Sequence, residues 1–208
     1  MLKKYLMHPK LLVRFGALLG VVMAALLGAW LLSYLLLPEG LLRGRTAAQA
    51  LAGNDLTGGS VWLEWLRLLA INLGALFISI IAPNLFQTEK GYPLGYTSTT
   101  LIAVVFGVTL GTDSFSVPLG GKMLPTLAIF GSSGLYEIIA YVLAAAATFS
   151  ISRYRLLGSM FKQTVQTIVP PKTKAVIVER FIGVLLAIII LVIACGWEAY
   201  RFSQAISS

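Results

Sequence analysis

Apolar and polar positions along this chain fall into long blocks, not into the short alternations of a water-soluble fold. The run over 15–37 holds 23 consecutive uncharged residues, enough at about 1.5 Å per residue to cross a hydrocarbon core roughly 30 Å thick. Runs over 61–82, 96–112, 124–151 and 181–198 predict four further spans. Each ends at a breaker or a charge: Pro38 and Glu39, Pro83, Asp113, Arg153, and finally Glu198. The pattern predicts an all-α, polytopic membrane bundle of five transmembrane helices forming a single membrane domain, 1–208.

Two stretches interrupt this reading. In the fourth run, Gly131-Ser-Ser-Gly134 breaks the apolar sequence. Either one long helix starts near Leu124, or a re-entrant segment over 124–134 dips into the membrane and a new helix starts with Ser132 or Ser133 as its N-cap. In the basic connector from Arg153 to Arg180, Leu156, Leu157, Met160, Phe161, Val165 and Ile168 recur at roughly helical spacing. That spacing predicts an interfacial helix near 155–169, ended by Pro170-Pro171. The alanine-rich middle of the 38–60 connector predicts a short surface helix.

Composition agrees with the block pattern. The chain is 58% hydrophobic and 12% charged, with a mean hydropathy of +0.87, values foreign to a water-soluble surface. A net charge of +8 would suggest nucleic acid in a soluble protein. Here it reads as orientation: with the N-terminus cytoplasmic, eleven basic residues fall inside and five outside, which places the C-terminus externally in a cell membrane. The expected partners are membrane lipids and other membrane proteins, a second copy of the chain included, and not nucleic acid. The first run is too long for a signal-peptide core and reads as a retained span, although Ala48-Gln49-Ala50 imitates a cleavage site.

Charge inside the apolar blocks carries the candidate chemistry. Glu137 lies within the fourth span, and Ser133, Gly134, Glu137, Ala140, Tyr141, Ala144 and Thr148 share one helical stripe while Leu135, Ile138, Val142, Leu143 and Phe149 share the other. The first stripe is expected to face protein and the second lipid. An ionisable group at mid-membrane costs roughly 2.5 kcal/mol or more, so it needs polar company. Glu64, Arg67, Glu137 and Glu198 fall toward the external half of the bundle, and with Asn72 and Ser133 they form the expected intramembrane polar cluster. Gly16 and Gly20, Gly107 and Gly111, and Gly134 mark small-residue faces for close helix packing.

Three places carry a family likeness. Ser133-Gly134-Leu135-Tyr136-Glu137 precedes an alanine-rich helix, Ala194, Glu198 and Tyr200 end the last span, and Asn72 lies in an earlier span before a glycine-containing turn. Over about Asn72 to Tyr200 the chain resembles the stage II sporulation protein M family of multi-pass membrane proteins. That family has a histidine where this chain has Ser133, and its asparagine-glycine pair is not evident near Gly91 to Gly95. The resemblance implies a non-enzymatic, partner-binding membrane subunit of the kind that anchors a cell-wall-degrading machine.

Known catalytic patterns are missing. His8 is the only histidine and Cys195 the only cysteine, so neither a zinc site nor an internal disulfide is expected. Cys195 reads as a small hydrophobe. No phosphate-binding loop, dinucleotide fingerprint or nucleophile elbow occurs. The expectation is no enzymatic activity, no cofactor and no metal: a subunit that scaffolds or anchors a larger membrane assembly. The alternative is a permease-like transporter subunit in which Glu137 lines a polar path.

Overall fold

A computed structural model describes residues 2–45, 60–115, 120–131, 133–159, 162–171 and 173–207. A short helix α1 (Leu2–Leu6) precedes α2 (Leu11–Leu36). Helix α3 (Val61–Gly74) opens on Ser60, whose hydroxyl accepts from the Trp62 amide at 3.3 Å. It continues through a π-helical stretch (Ala75–Ile81) and a 3-10 turn (Ala82–Leu85) into strand β1 (Phe86–Gln87). Helix α4 (Leu94–Gly111) follows Pro93, and α5 (Ser133–Ala147) is lengthened by a 3-10 turn (Thr148–Ile151). Strands β2 (Tyr154–Ser159) and β3 (Lys162–Thr167) lead to α6 (Lys174–Ser207).

Five helices are long and apolar enough to cross a membrane: Leu11–Leu36, Val61–Leu85, Leu94–Gly111, Ser133–Ile151 and Lys174–Arg201. The fourth is therefore shorter than the run over 124–151. Leu127–Gly131 forms one 3-10 turn and helix α5 starts at Ser133, so a single long helix from Leu124 is excluded. The capping position, Ser132, lies outside the described residues, as does most of the predicted surface helix in the 38–60 connector.

Helix α5 sits at the centre. Of its apolar window 67% is buried, against 17% for α6. The expected division into a protein face and a lipid face fails here, because Leu135, Ile138, Val142 and Leu143 are buried along with Ala140 and Ala144 to Ala147. A helix buried on both stripes is an interior helix, and its alanine run lets four neighbours approach. A Cβ on Gly183 of α6 would lie 2.5 Å from that of Ala147.

Helices α2 and α4 run parallel and touch through backbone. The buried face of α2, Leu18, Val22, Leu26, Trp30 and Ser33, meets Ala103, Gly107 and Gly111. A Cβ at Gly107 would come within 2.5 Å of the Leu26 carbonyl oxygen, and one at Gly111 within 2.1 Å of Ser33 Oγ. Lipid tails are as apolar as leucine, so close packing of this kind is what holds helices together in a bilayer. A polar clasp fastens the far ends of the same two helices. Gly40 donates to the Thr112 carbonyl at 2.7 Å, Arg43 to the Asp113 carbonyl at 2.7 Å, and Leu42 N–H to Ser114 Oγ at 3.0 Å. Asp113 adopts φ 47°, a left-handed conformation aspartate tolerates, and its side chain accepts from Gly121 N–H at 2.9 Å.

The predicted interfacial helix near 155–169 is instead a β-hairpin. Strand β2 pairs antiparallel with β3, with Leu156 opposite Val165, and parallel with β1, with Phe86 opposite Tyr154. Apolar positions in this segment fit both periods, but Thr164, Val165 and Thr167 are β-branched and Gly158 has φ 94°, which favours the extended form.

A polar cluster between three helices

Asn72 is the hub of the polar groups inside the bundle. Its Nδ2 donates to the Leu68 carbonyl at 3.1 Å, to Glu137 Oε1 at 3.2 Å and to Cys195 Sγ at 3.4 Å, while Oδ1 accepts from the Tyr141 hydroxyl. One side chain thus ties α3 to both α5 and α6. Local geometry explains the convergence: Ser133, Glu137 and Tyr141 are spaced four apart on α5, and Cys195 and Glu198 three apart on α6, so each set lies on one face. Glu198 of α6 and Ser133 of α5 lie beside Glu137, close enough for the two carboxyl groups to interact.

Four of the six residues expected in the polar cluster, Asn72, Ser133, Glu137 and Glu198, therefore meet. The other two stand beside it. Arg67 pairs with Glu64 at 3.7 Å, both side chains being about one-third exposed at 32% and 31%; such a pair contributes about 0–1 kcal/mol. Arg67 does not reach the glutamates, and the cationic group acting on Glu198 is Arg201, which also donates to the Gly131 carbonyl at 2.9 Å. Cys195 departs from the plain hydrophobe expected of it, because its fully buried sulfur accepts from Asn72. Its spacing to Glu198 is the signal that identifies it.

The π-helical stretch serves this arrangement. Twelve residues separate Asn72 from Asn84, about a third of a turn beyond whole turns of an α-helix; the wider i→i+5 turns take up the difference, so both asparagines meet α5. Asn84, fully buried, donates to the Ala145 carbonyl at 2.9 Å and to Thr148 Oγ1 at 2.7 Å. Nothing in the sequence distinguished Asn84 from a loop residue after Pro83.

A second buried group lies at the opposite end. Arg14, 4% exposed, pairs with Glu179 at 3.5 Å, donates to the carbonyls of His8, Pro9 and Ala146 at 2.7, 2.6 and 3.2 Å, and stacks on Phe149 at 5.2 Å. Glu179 also accepts from the Leu11 amide. This joins the starts of α2 and α6 to the end of α5. Sequence order alone showed Arg14 only as one of the basic residues that orient the chain.

The expected packing glycines divide into two groups. Gly107, Gly111 and Gly134 are used inside the bundle, Gly134 against the Phe106 ring at 2.5 Å from its notional Cβ; Gly16 and Gly20 have nothing within 4 Å. Among the described residues no three His, Cys, Asp or Glu side chains group as a metal site. No family model, curated protein or solved structure matches the chain.

Proposed function

We propose that this protein is a non-enzymatic subunit that scaffolds a larger assembly in the cell membrane, binding its partner through the outward face of α2. The observation that carries this reading is the vacancy along that face. Gly16, Gly20, Ala24 and Gly28 recur every four residues and are exposed, and a Cβ at any of the three glycines would meet nothing within 4 Å. The same small-residue spacing at Gly107 and Gly111 is filled by a neighbouring helix, and such faces are where transmembrane helices approach closely. The likeness to the stage II sporulation protein M family supports the reading, since Asn72, Glu137 and Glu198, which carry it, are the residues joining α3, α5 and α6. In this reading the N-terminus and the hairpin face the cytoplasm and the C-terminus the outside, an orientation supported by the more basic end bearing Lys3, Lys4, Lys10 and Lys174.

Affinity capture of the full chain from native membranes tests this. The expected result is a stoichiometric companion lost when Gly20→Leu is introduced, with the five-helix body unchanged. A lone monomer with no companion contradicts it.

One observation favours a second reading, a transporter subunit: Glu137 and Glu198 lie side by side inside the bundle near a π-helical stretch, a feature frequent at functional sites. Flux in reconstituted vesicles that is abolished by Glu137→Gln would favour it; unchanged flux would dismiss it.

A further inference from the structure

We infer that the sheet formed by β1, β2 and β3 lies on the membrane surface, with one face against a leaflet containing anionic lipid. The pairing register sorts its side chains. Phe86, Tyr154, Leu156, Val165 and Thr167 share one face, and Gln87, Arg155, Leu157, Thr164 and Gln166 share the other. No charged residue occurs in the first set. Phe86 and Tyr154 stack there at 5.2 Å between centroids, and Val165 is 54% exposed. At β1 the polar face is turned back on the body, where Gln87 is buried and, with its side-chain oxygen toward Arg155, accepts from Nε and Nη2 at 3.0 Å each, while on β3 Thr164 and Gln166 are exposed.

Tethering fixes the level of the apolar face. Only Ser152 and Arg153 separate the last turn of α5 from β2, the Ser152 hydroxyl donates to the Asn84 carbonyl at 2.7 Å, and the Arg153 amide donates to the Leu85 carbonyl at 2.8 Å. The sheet therefore begins where two spans end, the depth at which aromatic side chains prefer the interface. Charge selects the lipid. Lys4, Lys10, Lys90, Arg153 and Lys174 are exposed at this end, and basic groups within a Debye length of the surface are attracted by anionic headgroups. A protein strand added to the free edge of β3 would use backbone hydrogen bonds and would not need this separation of faces.

Spin labels on single cysteines, Val165→Cys and Gln166→Cys, in the full-length Cys195→Ser protein report the depth of each face. Cys195→Ser keeps an acceptor for Asn72, and the same labels in the native background, where Cys195 is buried, control for it. In phosphatidylcholine vesicles containing phosphatidylglycerol, the label at 165 is expected to collide with oxygen severalfold more than with a water-soluble nickel complex. The label at 166 is expected to show the reverse. The contrast should shrink when phosphatidylglycerol is omitted or salt is raised. Equal nickel access at both positions would overturn the inference, as would protection of 165 only after a membrane-protein extract is added. A contrast indifferent to phosphatidylglycerol and salt would overturn the assignment to anionic lipid.

Discussion

The Tyr141 hydroxyl donates to Asn72 Oδ1, so the buried end of a tyrosine on the central helix is held by the same amide that binds Glu137 at 3.2 Å. Tyr141 is 4% exposed and Asn72 9% exposed, which leaves neither a route to water when the other is removed. Asn72→Ala should therefore cost more than Tyr141→Phe: about 1–3 kcal/mol for stranding the hydroxyl and the carboxyl group, against about 0.6 kcal/mol for losing one interhelical hydrogen bond. Unfolding in mixed micelles checks this, and the double variant should cost less than the sum, because both changes remove the same bond.

Gly107→Val and Gly111→Val should destabilise the monomer by about 1–3 kcal/mol or more, since the new side chains would meet the Leu26 carbonyl and Ser33 Oγ. Gly16→Val and Gly20→Val should leave monomer unfolding within about 0.5 kcal/mol of the parent and instead weaken association in the membrane. Thermal unfolding in detergent compared with cross-linking in native membranes separates the two effects.

Arg14→Met removes the ion pair with Glu179 and strands the carbonyls of His8, Pro9 and Ala146. Breaking a fully buried pair costs about 3–5 kcal/mol. Glu179 retains 30% exposure, so the loss should fall at or below the lower end of that range. Arg14→Lys should recover only part of it, because an ammonium on a flexible stem cannot reproduce the guanidinium fork. Hydrogen exchange should show the start of α6 loosening first.

Gly95→Ala places a methyl group 2.2 Å from Asn84 Oδ1 and 2.5 Å from the Ile80 carbonyl oxygen. The variant should be markedly less stable than the parent, and Asn84→Ala in the same chain should relieve part of the clash. Unfolding midpoints of the three proteins, compared in one detergent, measure that relief.

How far the chain announced its own structure depended on which force decided each segment. Long apolar runs locate the five spans because a bilayer leaves the backbone little choice but helix. The meeting of Asn72, Ser133, Glu137 and Glu198 was legible for the same reason, since a polar group in hydrocarbon must find another. Lipid exposure of Leu135 and Ile138 was misread because leucine and isoleucine are equally at home against lipid and against a neighbouring helix. The hairpin over β2 and β3 escaped because a short apolar pattern fits periods of 3.6 and 2, and pairing with the distant Phe86 decided between them. Arg14 was hidden because its partners, the Glu179 side chain and the carbonyls of His8, Pro9 and Ala146, are brought close only by the fold.

The most direct measurement of the arrangement at the centre of this account is oxidative cross-linking of Glu137→Cys with Glu198→Cys in the Cys195→Ser chain, carried out in native membranes. The account predicts a disulfide between α5 and α6 in most of the protein, with no such bond when Tyr136→Cys, on the exposed side of α5, replaces Glu137→Cys. Equal or absent cross-linking in the two pairs would contradict it.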